Sequence, residues 1–141
     1  MDIADEEIVA DRVTADLMRC KIRKRLLRIS ATRVLVKPKG RPGMPVALAE
    51  ILLPAEYSDI LAVLPTYNKT ICDLLEERYG VHALRIEQIV EPCTVTAAEA
   101  RKLGVALGTL GLRFHRTYVN PKGVVFEHAT SLQAGSWRKY R

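Results

Sequence analysis

Residues 68–108 read NKTICDLLEERYGVHALRIEQIVEPCTVTAAEARKLGVALG, and the first third of this stretch predicts a helix. Residues 68–70 offer polar side chains that cap a helix start, and Gly80 can adopt the left-handed conformation that ends one. The apolar residues between them are spaced to fall on one face, and these are Ile71, Leu74, Leu75 and Tyr79. We therefore expect a helix that ends at Gly80 and packs one side onto a core.

The remainder of the stretch predicts a strand and a second, shorter helix. Residues 81–91 alternate between two sets of side chains and contain β-branched residues, which is typical of a strand, and Pro92 is expected to end it. Thr96 and Glu99 then have the spacing of a capping box, so a short helix should follow and close at Gly104. The order helix, strand, helix organises the rest of the chain.

The chain before this stretch predicts a helix and then a β-hairpin. Residues 5–22 place apolar side chains at helical spacing, so we expect an amphipathic helix there, within an N-terminal helix or linker segment assigned to residues 1–25. Residues 26–36 and 45–53 read as two strands joined by a loop rich in proline and glycine. The main domain is therefore expected to cover residues 26–141.

A second hairpin follows the central stretch. Residues 111–119 and 124–133 read as strands joined by Asn120-Pro-Lys-Gly123, which suits a type I turn followed by a glycine in the left-handed conformation. Counting back from this turn places Thr117 opposite Glu127. One face is then apolar, and the other is polar enough to line a pocket and contains Arg113, His115, Thr117, Val125, Glu127, Ala129, Ser131 and Gln133.

The composition indicates a single folded domain. The chain has 141 residues, of which 48% are hydrophobic, and this is enough to bury a core and too much for a disordered chain. No apolar run approaches the roughly 18 residues of a membrane-spanning helix, and the acidic start is unlike a secretory leader, so we expect a cytoplasmic protein with no membrane partner. Three cysteines without C-x-x-C spacing favour reduced thiols over a disulfide framework or a zinc knuckle.

Positive charge is concentrated in one segment. The formal net charge is +6, and residues 19–41 contain ten Lys or Arg residues and no Asp or Glu. Such a segment could contact the phosphates of a nucleic acid, but it lacks the interleaved aromatic residues and the motifs of known nucleic-acid readers. The sequence favours the alternative interpretation, a solvated basic face.

Catalytic signatures are absent from the sequence, which has no G-x-S-x-G, H-E-x-x-H, P-loop or Rossmann glycine pattern. The three histidines are His82, His115 and His128, and a shared metal ion requires neighbouring imidazoles. In the expected register, His115 and His128 point to opposite faces of the last hairpin. We therefore predict no metal site and no cofactor.

Several of these motifs occur together, and in the same order, in one known family. LLEERYG at residues 74–80, AEARKLGV at residues 98–105, Gly108 and the last hairpin resemble the UTRA domain, the effector-sensing half of GntR-family transcriptional regulators of the HutC-like branch. The resemblance covers roughly residues 26–137. It implies an α+β fold with a central antiparallel sheet flanked by helices, similar to the fold of chorismate lyase.

The resemblance also assigns ligand-binding roles to three residues. Glu127 matches a strand glutamate that binds hydroxyl or amine groups of the effector, although the residue alone could equally be solvent-exposed. Thr70 matches a hydroxyl residue at a helix start, and Arg33 a strand arginine, which together meet an anionic group. The remaining candidates share the expected polar face with Glu127, and these are His115, Thr117 and Gln133.

Three positions depart from the family pattern. Leu35 stands where a second arginine is expected, Ala49 with Glu50 beside it where a strand glutamate is expected, and Gln133 where an aromatic residue is expected. These three departures count against a sugar-phosphate effector. A smaller, carboxylate-bearing metabolite is therefore the expected ligand.

We expect a sensor domain that binds a small anionic metabolite and signals through a homodimer, with DNA bound only by a separate winged-helix domain. The ligand would order residues 37–43 and the loop before Thr70, and so shift the population between two arrangements of the dimer. One alternative is a chorismate-lyase-like enzyme that uses Arg33 and Glu127 on a small carboxylate. Another is a nucleic-acid-binding module that uses residues 19–41.

Overall fold

The computed structural model describes residues 2–35 and 44–134. In chain order the elements are β1 (Asp2–Val9), α1 (Arg12–Met18), β2 (Arg25–Leu35), β3 (Met44–Pro54), two 3₁₀ helices (Ala55–Ala62 and Leu64–Thr66), α2 (Ile71–Tyr79), β4 (Arg85–Thr94), α3 (Ala97–Leu103), β5 (Leu110–Val119) and β6 (Val125–Ala134). The strands form one six-stranded antiparallel sheet in the order β1-β2-β3-β6-β5-β4. This arrangement confirms the predicted α+β fold with a central antiparallel sheet flanked by helices.

Different helices cover the two faces of the sheet. The α2 face packs against α2 and the two 3₁₀ helices, around a buried cluster of Leu27, Ile29, Leu53, Ile60, Leu74, Leu75, Tyr118 and Phe126. The α1–α3 face packs against the other two helices, with α1 over Leu26, Leu52 and Val125, and α3 over Leu132. None of the described helices is long and apolar enough to cross a membrane.

The predicted helix over residues 5–22 is wrong in its first half. Residues 2–9 form β1, which pairs with β2, and only Arg12–Met18 is helical. Acidic side chains of β1 meet basic side chains of β2, as in the ion pair of Glu6 and Arg28 at 3.0 Å. Opposite charges across neighbouring strands stabilise their pairing, which helical spacing alone does not reveal. The predicted division between an N-terminal segment and the main domain stays a prediction.

Both predicted helices of the central stretch are confirmed. Thr70 caps α2, and Gly80 ends it at a φ of +68°. Thr96 caps α3, and Gly104 ends it at a φ of +69°. In both helices the capping hydroxyl accepts a hydrogen bond from the third helical residue, whose carboxylate accepts one from the N-cap backbone. Local sequence therefore determines where these two helices begin and end.

The strand between these helices is displaced from its predicted position. It begins at Arg85 rather than Val81, and it continues past Pro92 to Thr94. The prediction of an end at Pro92 is wrong because β4 is the outermost strand and pairs only with β5 in the described structure. An edge strand accommodates a proline because one side of its backbone needs no partner.

Both predicted hairpins form. β2 and β3 correspond to the strands predicted over residues 26–36 and 45–53, whereas the loop of residues 37–43 lies outside the described residues. In the last hairpin the Gly123 N–H donates to the Asn120 carbonyl at 2.9 Å, as expected for a type I turn. Gly123 has a φ of +78°, the left-handed conformation that glycine adopts without strain.

Gly111 lies in β5 at a point where β6 approaches closely, so a larger residue should destabilise the sheet. A Cβ atom added there would lie 2.8 Å from the Gln133 carbonyl oxygen and 3.0 Å from the Ala134 Cβ. We expect Gly111→Ala to lower the free energy of unfolding by about 1–3 kcal/mol in urea denaturation. Leu110 is 71% exposed, so Leu110→Ala should change it by less than about 0.5 kcal/mol. Equal stability of the two variants would contradict the close approach.

Candidate functional site

A β-bulge in the last hairpin determines which side chains share a face of the sheet. Val119 pairs with Val125 next to the turn, but Tyr118 pairs with Glu127, so Phe126 is an extra residue in β6. Beyond the bulge, every residue of β6 is shifted by one position relative to the predicted pairing. The predicted register is therefore correct beside the turn and wrong for the rest of the hairpin.

The bulge places the four candidate ligand-binding residues of the last hairpin, His115, Thr117, Glu127 and Gln133, on different faces. Thr117 pairs with His128 and not with Glu127, and His115 pairs with Thr130. His115 and Thr117 therefore belong to the α1–α3 face, whereas Glu127 lies on the α2 face with its partner in β5. The predicted polar face that joined these four hairpin residues is wrong, and the two groups have to be considered separately.

Glu127 is the most unusual polar residue of the α2 face. Its side chain is only 3% exposed, and its Oε1 atom has no hydrogen-bond partner among the described residues. Burial raises the pKa of Glu127 to about 8, because a carboxylate removed from water loses its hydration. The carboxyl group is therefore largely protonated at neutral pH. A buried carboxyl group without a partner destabilises a fold, so a group that binds there would restore its lost hydrogen bonds.

Two neighbouring elements lie close enough to Glu127 to be affected by its charge. Burial, followed by the charge of Glu127, raises the pKa of Cys72 to about 11. Burial and Glu127 act in the same direction on the pKa of Tyr118. Cys72 is in the first turn of α2 and Tyr118 is in β5. The buried carboxyl group is thus enclosed by the start of α2 on one side and by the sheet on the other.

Thr70, the N-cap of α2, is already engaged by the helix itself. Its hydroxyl donates to Asp73 Oδ2 at 2.9 Å and accepts from the Asp73 N–H at 3.1 Å. The Asp73 carboxylate thus occupies the position where the N-terminus of a helix attracts an anion. A ligand anion that binds at Thr70 would have to displace this carboxylate or approach the helix beside it.

Arg33 and Gln133 are related to each other through β3. Ala47 pairs with Arg33 on one side and with Gln133 on the other, so the three positions lie side by side across the sheet. Gln133 is six residues after Glu127 along β6, on the same α2 face, and its side chain is exposed. Only the backbone of Arg33 is described. The expected contact between Arg33 and a ligand anion stays a prediction.

The α1–α3 face carries a separate chain of histidine contacts. The Thr117 hydroxyl hydrogen-bonds His128 Nδ1 at 3.1 Å, and His115 Nε2 hydrogen-bonds Glu91 Oε1 at 3.0 Å. The rings of His115 and His128 are 5.8 Å apart, so the prediction that they point to opposite faces is wrong. Burial, followed by the charges of His115 and Arg19, lowers the pKa of His128 to about 4. His128 is therefore neutral at pH 7, like the Thr117 hydroxyl that it contacts.

The same face also contains a cavity. Its volume is about 390 Å³, and it lies beside α3 with Glu50, Glu99, Lys102 and Arg113 among its lining residues. Arg113 forms an ion pair with Glu99 at 3.2 Å, and Glu50 lies 3.5 Å from Arg28. Most of the charged groups of this cavity are thus satisfied within the protein. Glu127 is not among its lining residues, so the cavity and the buried carboxyl group are different sites.

The basic segment of residues 19–41 is largely paired with carboxylates where it is described. Its ion pairs are Arg19–Glu87, Lys24–Glu56, Arg25–Glu7 and Arg28–Glu6. These pairs are exposed or half-exposed, and each is worth little individually. They nevertheless lower the local positive charge that would attract a nucleic acid. Within the described residues, no group of three or more His, Cys, Asp or Glu side chains could hold a metal ion.

The sequence as a whole matches one protein family. The family model of the UTRA domain matches residues 4–136, which is nearly the whole chain. This chain belongs to the UTRA domain family. The match begins within β1, so the family domain includes the first strand of the sheet. No curated protein sequence matches the chain significantly.

Solved structures with this UTRA fold come from bacterial regulators. The effector domain of PhnF from Mycobacterium smegmatis is 23% identical, with a TM-score of 0.73. The similarity covers 95% of this chain and 78% of that one. A GntR-family transcriptional regulator from Bacillus cereus is 11% identical, with a TM-score of 0.79. The similarity covers 97% of this chain and 94% of that one. The ligand-binding domain of a regulator assigned to the GntR family from Bordetella bronchiseptica is 18% identical, with a TM-score of 0.77, for 94% and 80% of the two chains.

Sequence reasoning missed the residues that surround Glu127 in this UTRA domain. The sequence assigned no role at this site to Tyr118, on the apolar face of the last hairpin, or to Cys72, one of the three cysteines expected to be reduced thiols. The position of Cys72, two residues after the recognisable Thr70 cap, indicates that it lies in the first turn of α2 and could have associated it with the site. The bulge at Phe126 had no comparable signal, because neither Phe126 nor its neighbours is a glycine.

The raised pKa of Glu127 predicts a specific pH dependence of stability. Between about pH 4.5 and pH 8 the folded state keeps a proton on Glu127 that the unfolded state releases. The contribution of Glu127 to the free energy of unfolding should therefore be greatest below pH 4.5. It should fall as the pH rises, by at most about 1.4 kcal/mol per pH unit. The Glu127→Gln variant lacks this titration and should lose that part of the slope.

Urea denaturation between pH 6.5 and 8.5 would measure this slope. The Glu127→Gln variant keeps the titration of His128, whose ordinary pKa is 6.5, so the difference in slope between the two proteins belongs to Glu127. Glu50→Gln, which removes an exposed carboxylate on the other face, is the matched control and should retain the wild-type slope. An unchanged slope in Glu127→Gln would contradict a protonated carboxyl group at this position.

Proposed function

We propose that this UTRA domain binds a small metabolite beside Glu127 on the α2 face and serves as the effector-sensing part of a GntR-type regulator. The observation that carries the proposal is the buried Glu127 carboxyl group, whose Oε1 atom has no hydrogen-bond partner among the described residues. A ligand that supplies this partner would form the hydrogen bond that the buried carboxyl group lacks. The family match and its regulator relatives support the same role.

The chemistry of Glu127 limits the part of the ligand that it recognises. A protonated carboxyl group can donate one hydrogen bond and accept others, so a ligand hydroxyl is a suitable partner. A ligand amine would also fit, since its positive charge would stabilise the carboxylate and lower its pKa. An amine should therefore bind with the release of a proton from Glu127, whereas a hydroxyl should not. The pH dependence of affinity distinguishes the two ligand classes.

The anionic end of the ligand is assigned to Arg33 and Thr70 by the family resemblance. A guanidinium group holds a carboxylate through two parallel hydrogen bonds, and the N-terminus of α2 adds N–H groups and a favourable dipole. Leu35, Ala49 and Gln133 do not supply the groups that a sugar phosphate would need. We therefore propose a small carboxylate-bearing metabolite with a hydroxyl or amine at its other end.

We further propose that the bound ligand acts by shifting a conformational equilibrium, with no chemical step and no cofactor. The protein would work as a homodimer in the cytoplasm and would contact DNA through a separate winged-helix domain. The ligand would bind one arrangement of the dimer more tightly, which is sufficient to change the affinity for an operator. The alternative, a chorismate-lyase-like activity, would require turnover of a small carboxylate.

A thermal-shift screen of hydroxy acids, amino acids, sugar acids and sugar phosphates tests the proposed ligand site. A ligand at about 100 times its Kd stabilises the native state by about 2.7 kcal/mol, which raises the Tm by several degrees. We expect one carboxylate class to give this shift, Glu127→Gln and Arg33→Ala to reduce it strongly, and Glu50→Gln to retain it. Loss of the shift in Glu50→Gln alone would instead assign binding to the cavity of the α1–α3 face.

The same samples distinguish a sensor from an enzyme. After the protein is incubated with each stabilising ligand, and with chorismate, mass spectrometry should detect the added compound and no product of it. Conversion that depends on Arg33 and Glu127 would contradict the sensor proposal and favour the lyase alternative.

A further inference from the structure

We infer that the cavity on the α1–α3 face binds a small zwitterion, whose ammonium group lies against Glu50 and whose carboxylate group lies against Lys102. This site is separate from the one proposed beside Glu127, which lies on the opposite face of the sheet, and the inference does not depend on that proposal. The cavity has a volume of about 390 Å³ and is lined by residues of α3 and of every strand except β4. Pockets of this size hold small ligands.

The cavity lies in a gap between the two helices of its face. Leu52 packs in the cluster under α1, and Leu48 packs against the cluster under α3. Glu50 lies between them on the same face, because side chains alternate along β3. It pairs with Ser30 in β2 and with Thr130 in β6. The floor of the gap is therefore a row in which one carboxylate has a hydroxyl group on either side.

The Glu50 carboxylate has hydrogen-bonding capacity that the described contacts do not use. It forms an ion pair with Arg28 at 3.5 Å, but the Arg28 Nε atom has no hydrogen-bond partner among the described residues. Arg28 donates a hydrogen bond to Glu6 at 3.0 Å instead. A ligand ammonium group has three N–H donors, which match the Glu50 carboxylate and the hydroxyls of Ser30 and Thr130.

The α3 side of the cavity has a basic group that is available to a ligand. Lys102 lies in the last turn of α3 and is exposed, and it forms no ion pair with a carboxylate within the described part of the chain. Arg113 is already paired with Glu99 at 3.2 Å. Glu99 also accepts a hydrogen bond from the Thr96 N–H at 3.0 Å, which holds it at the start of α3. A ligand carboxylate would therefore bind Lys102.

The charges at the two ends of the cavity suit a zwitterion. At the β3 end, two glutamates face one arginine and leave a net charge of −1, and these residues are Glu6, Glu50 and Arg28. At the α3 end, one glutamate faces two basic residues and leaves a net charge of +1, and these are Glu99, Lys102 and Arg113. A ligand with one charge would complement only one end, whereas a zwitterion complements both.

The distance between the two ends indicates the length of the ligand. Glu50 and Arg113 are two strands apart and differ by two residues along the strands, so their Cα atoms are about 12 Å apart. An α-amino acid has its two charged groups on the same carbon atom and is too short to contact both ends. An ω-amino acid or a dipeptide separates them by several bonds. Leu48 and Leu132 pair with each other and line the same cavity, where they suit methylene groups of such a ligand.

Isothermal titration calorimetry of the full chain tests the inference with ω-amino acids from β-alanine to ε-aminocaproate and with glycylglycine. We expect saturable binding of at least one of these zwitterions. Caproate and hexylamine each carry only one of the two charged groups, so they should bind about three- to tenfold more weakly than ε-aminocaproate. The absence of saturable binding by every zwitterion, or equally tight binding of caproate or hexylamine, would overturn the inference.

A charge exchange tests the arrangement of the two ends. Glu50→Lys and Lys102→Glu each give both ends the same sign of charge, so each should weaken binding of the best zwitterion by about tenfold or more. The double variant inverts both ends and should bind the zwitterion in the reverse orientation with restored affinity. Glu76→Lys, a reversal at an exposed glutamate of α2, is the matched control and should retain binding. Weakening in both single variants without restoration in the double variant would overturn the arrangement.

Two further variants distinguish this site from the one proposed beside Glu127. Glu127→Gln should bind the zwitterion with unchanged affinity, whereas Glu50→Gln should bind it about three- to tenfold more weakly. Weaker binding in Glu127→Gln together with retained binding in Glu50→Gln would assign the zwitterion to the α2 face and overturn the second site. Failure of the effector screen would leave these titrations unaffected, so the two proposals are tested separately.

Discussion

The organisation of the α2 face depends on a single extra residue, Phe126. Its insertion into β6 turns Glu127 away from Thr117 and toward Tyr118, under the first turn of α2. Because side chains alternate along a strand, one inserted residue exchanges the faces of everything that follows it. The same insertion places His128 on the α1–α3 face. The bulge therefore converts one expected polar surface into two distinct buried environments.

Those two environments shift the pKa values of two adjacent residues in opposite directions. Burial raises the pKa of Glu127 to about 8 and lowers the pKa of His128 to about 4. Each shift favours the neutral form at pH 7, since burial penalises whichever state carries charge. His128 Nδ1 has the Thr117 hydroxyl as a hydrogen-bond partner, whereas His128 Nε2 and Glu127 Oε1 have none among the described residues. A ligand group at Glu127 Oε1 would therefore displace no hydrogen bond of the described fold.

Local sequence signals predicted local structure well and long-range placement poorly. The caps at Thr70 and Thr96 and the glycines that end α2 and α3 depend on contacts within a few residues, so the sequence alone was sufficient. The first strand was predicted as a helix because its stabilising partner, the basic β2, lies far along the chain. The register error had the same origin, since the bulge at Phe126 is stabilised by packing between strands and helix. Of the proposed site, Glu127 was named as a candidate from the sequence, whereas the residues around it were not.

A single row of paired residues connects the proposed ligand site with the outermost strand of the sheet, β4. Glu127 in β6 pairs with Tyr118 in β5, and Tyr118 pairs with Ile86 in β4. A ligand that changes the protonation or position of Glu127 acts directly on Tyr118, whose own pKa already responds to that charge. Ile86 lies at the far end of this row, where its side chain is 54% exposed. The pairing of Glu127 with Tyr118 thus places the buried carboxyl group beside a phenol of the next strand, one strand away from the outer edge of the sheet.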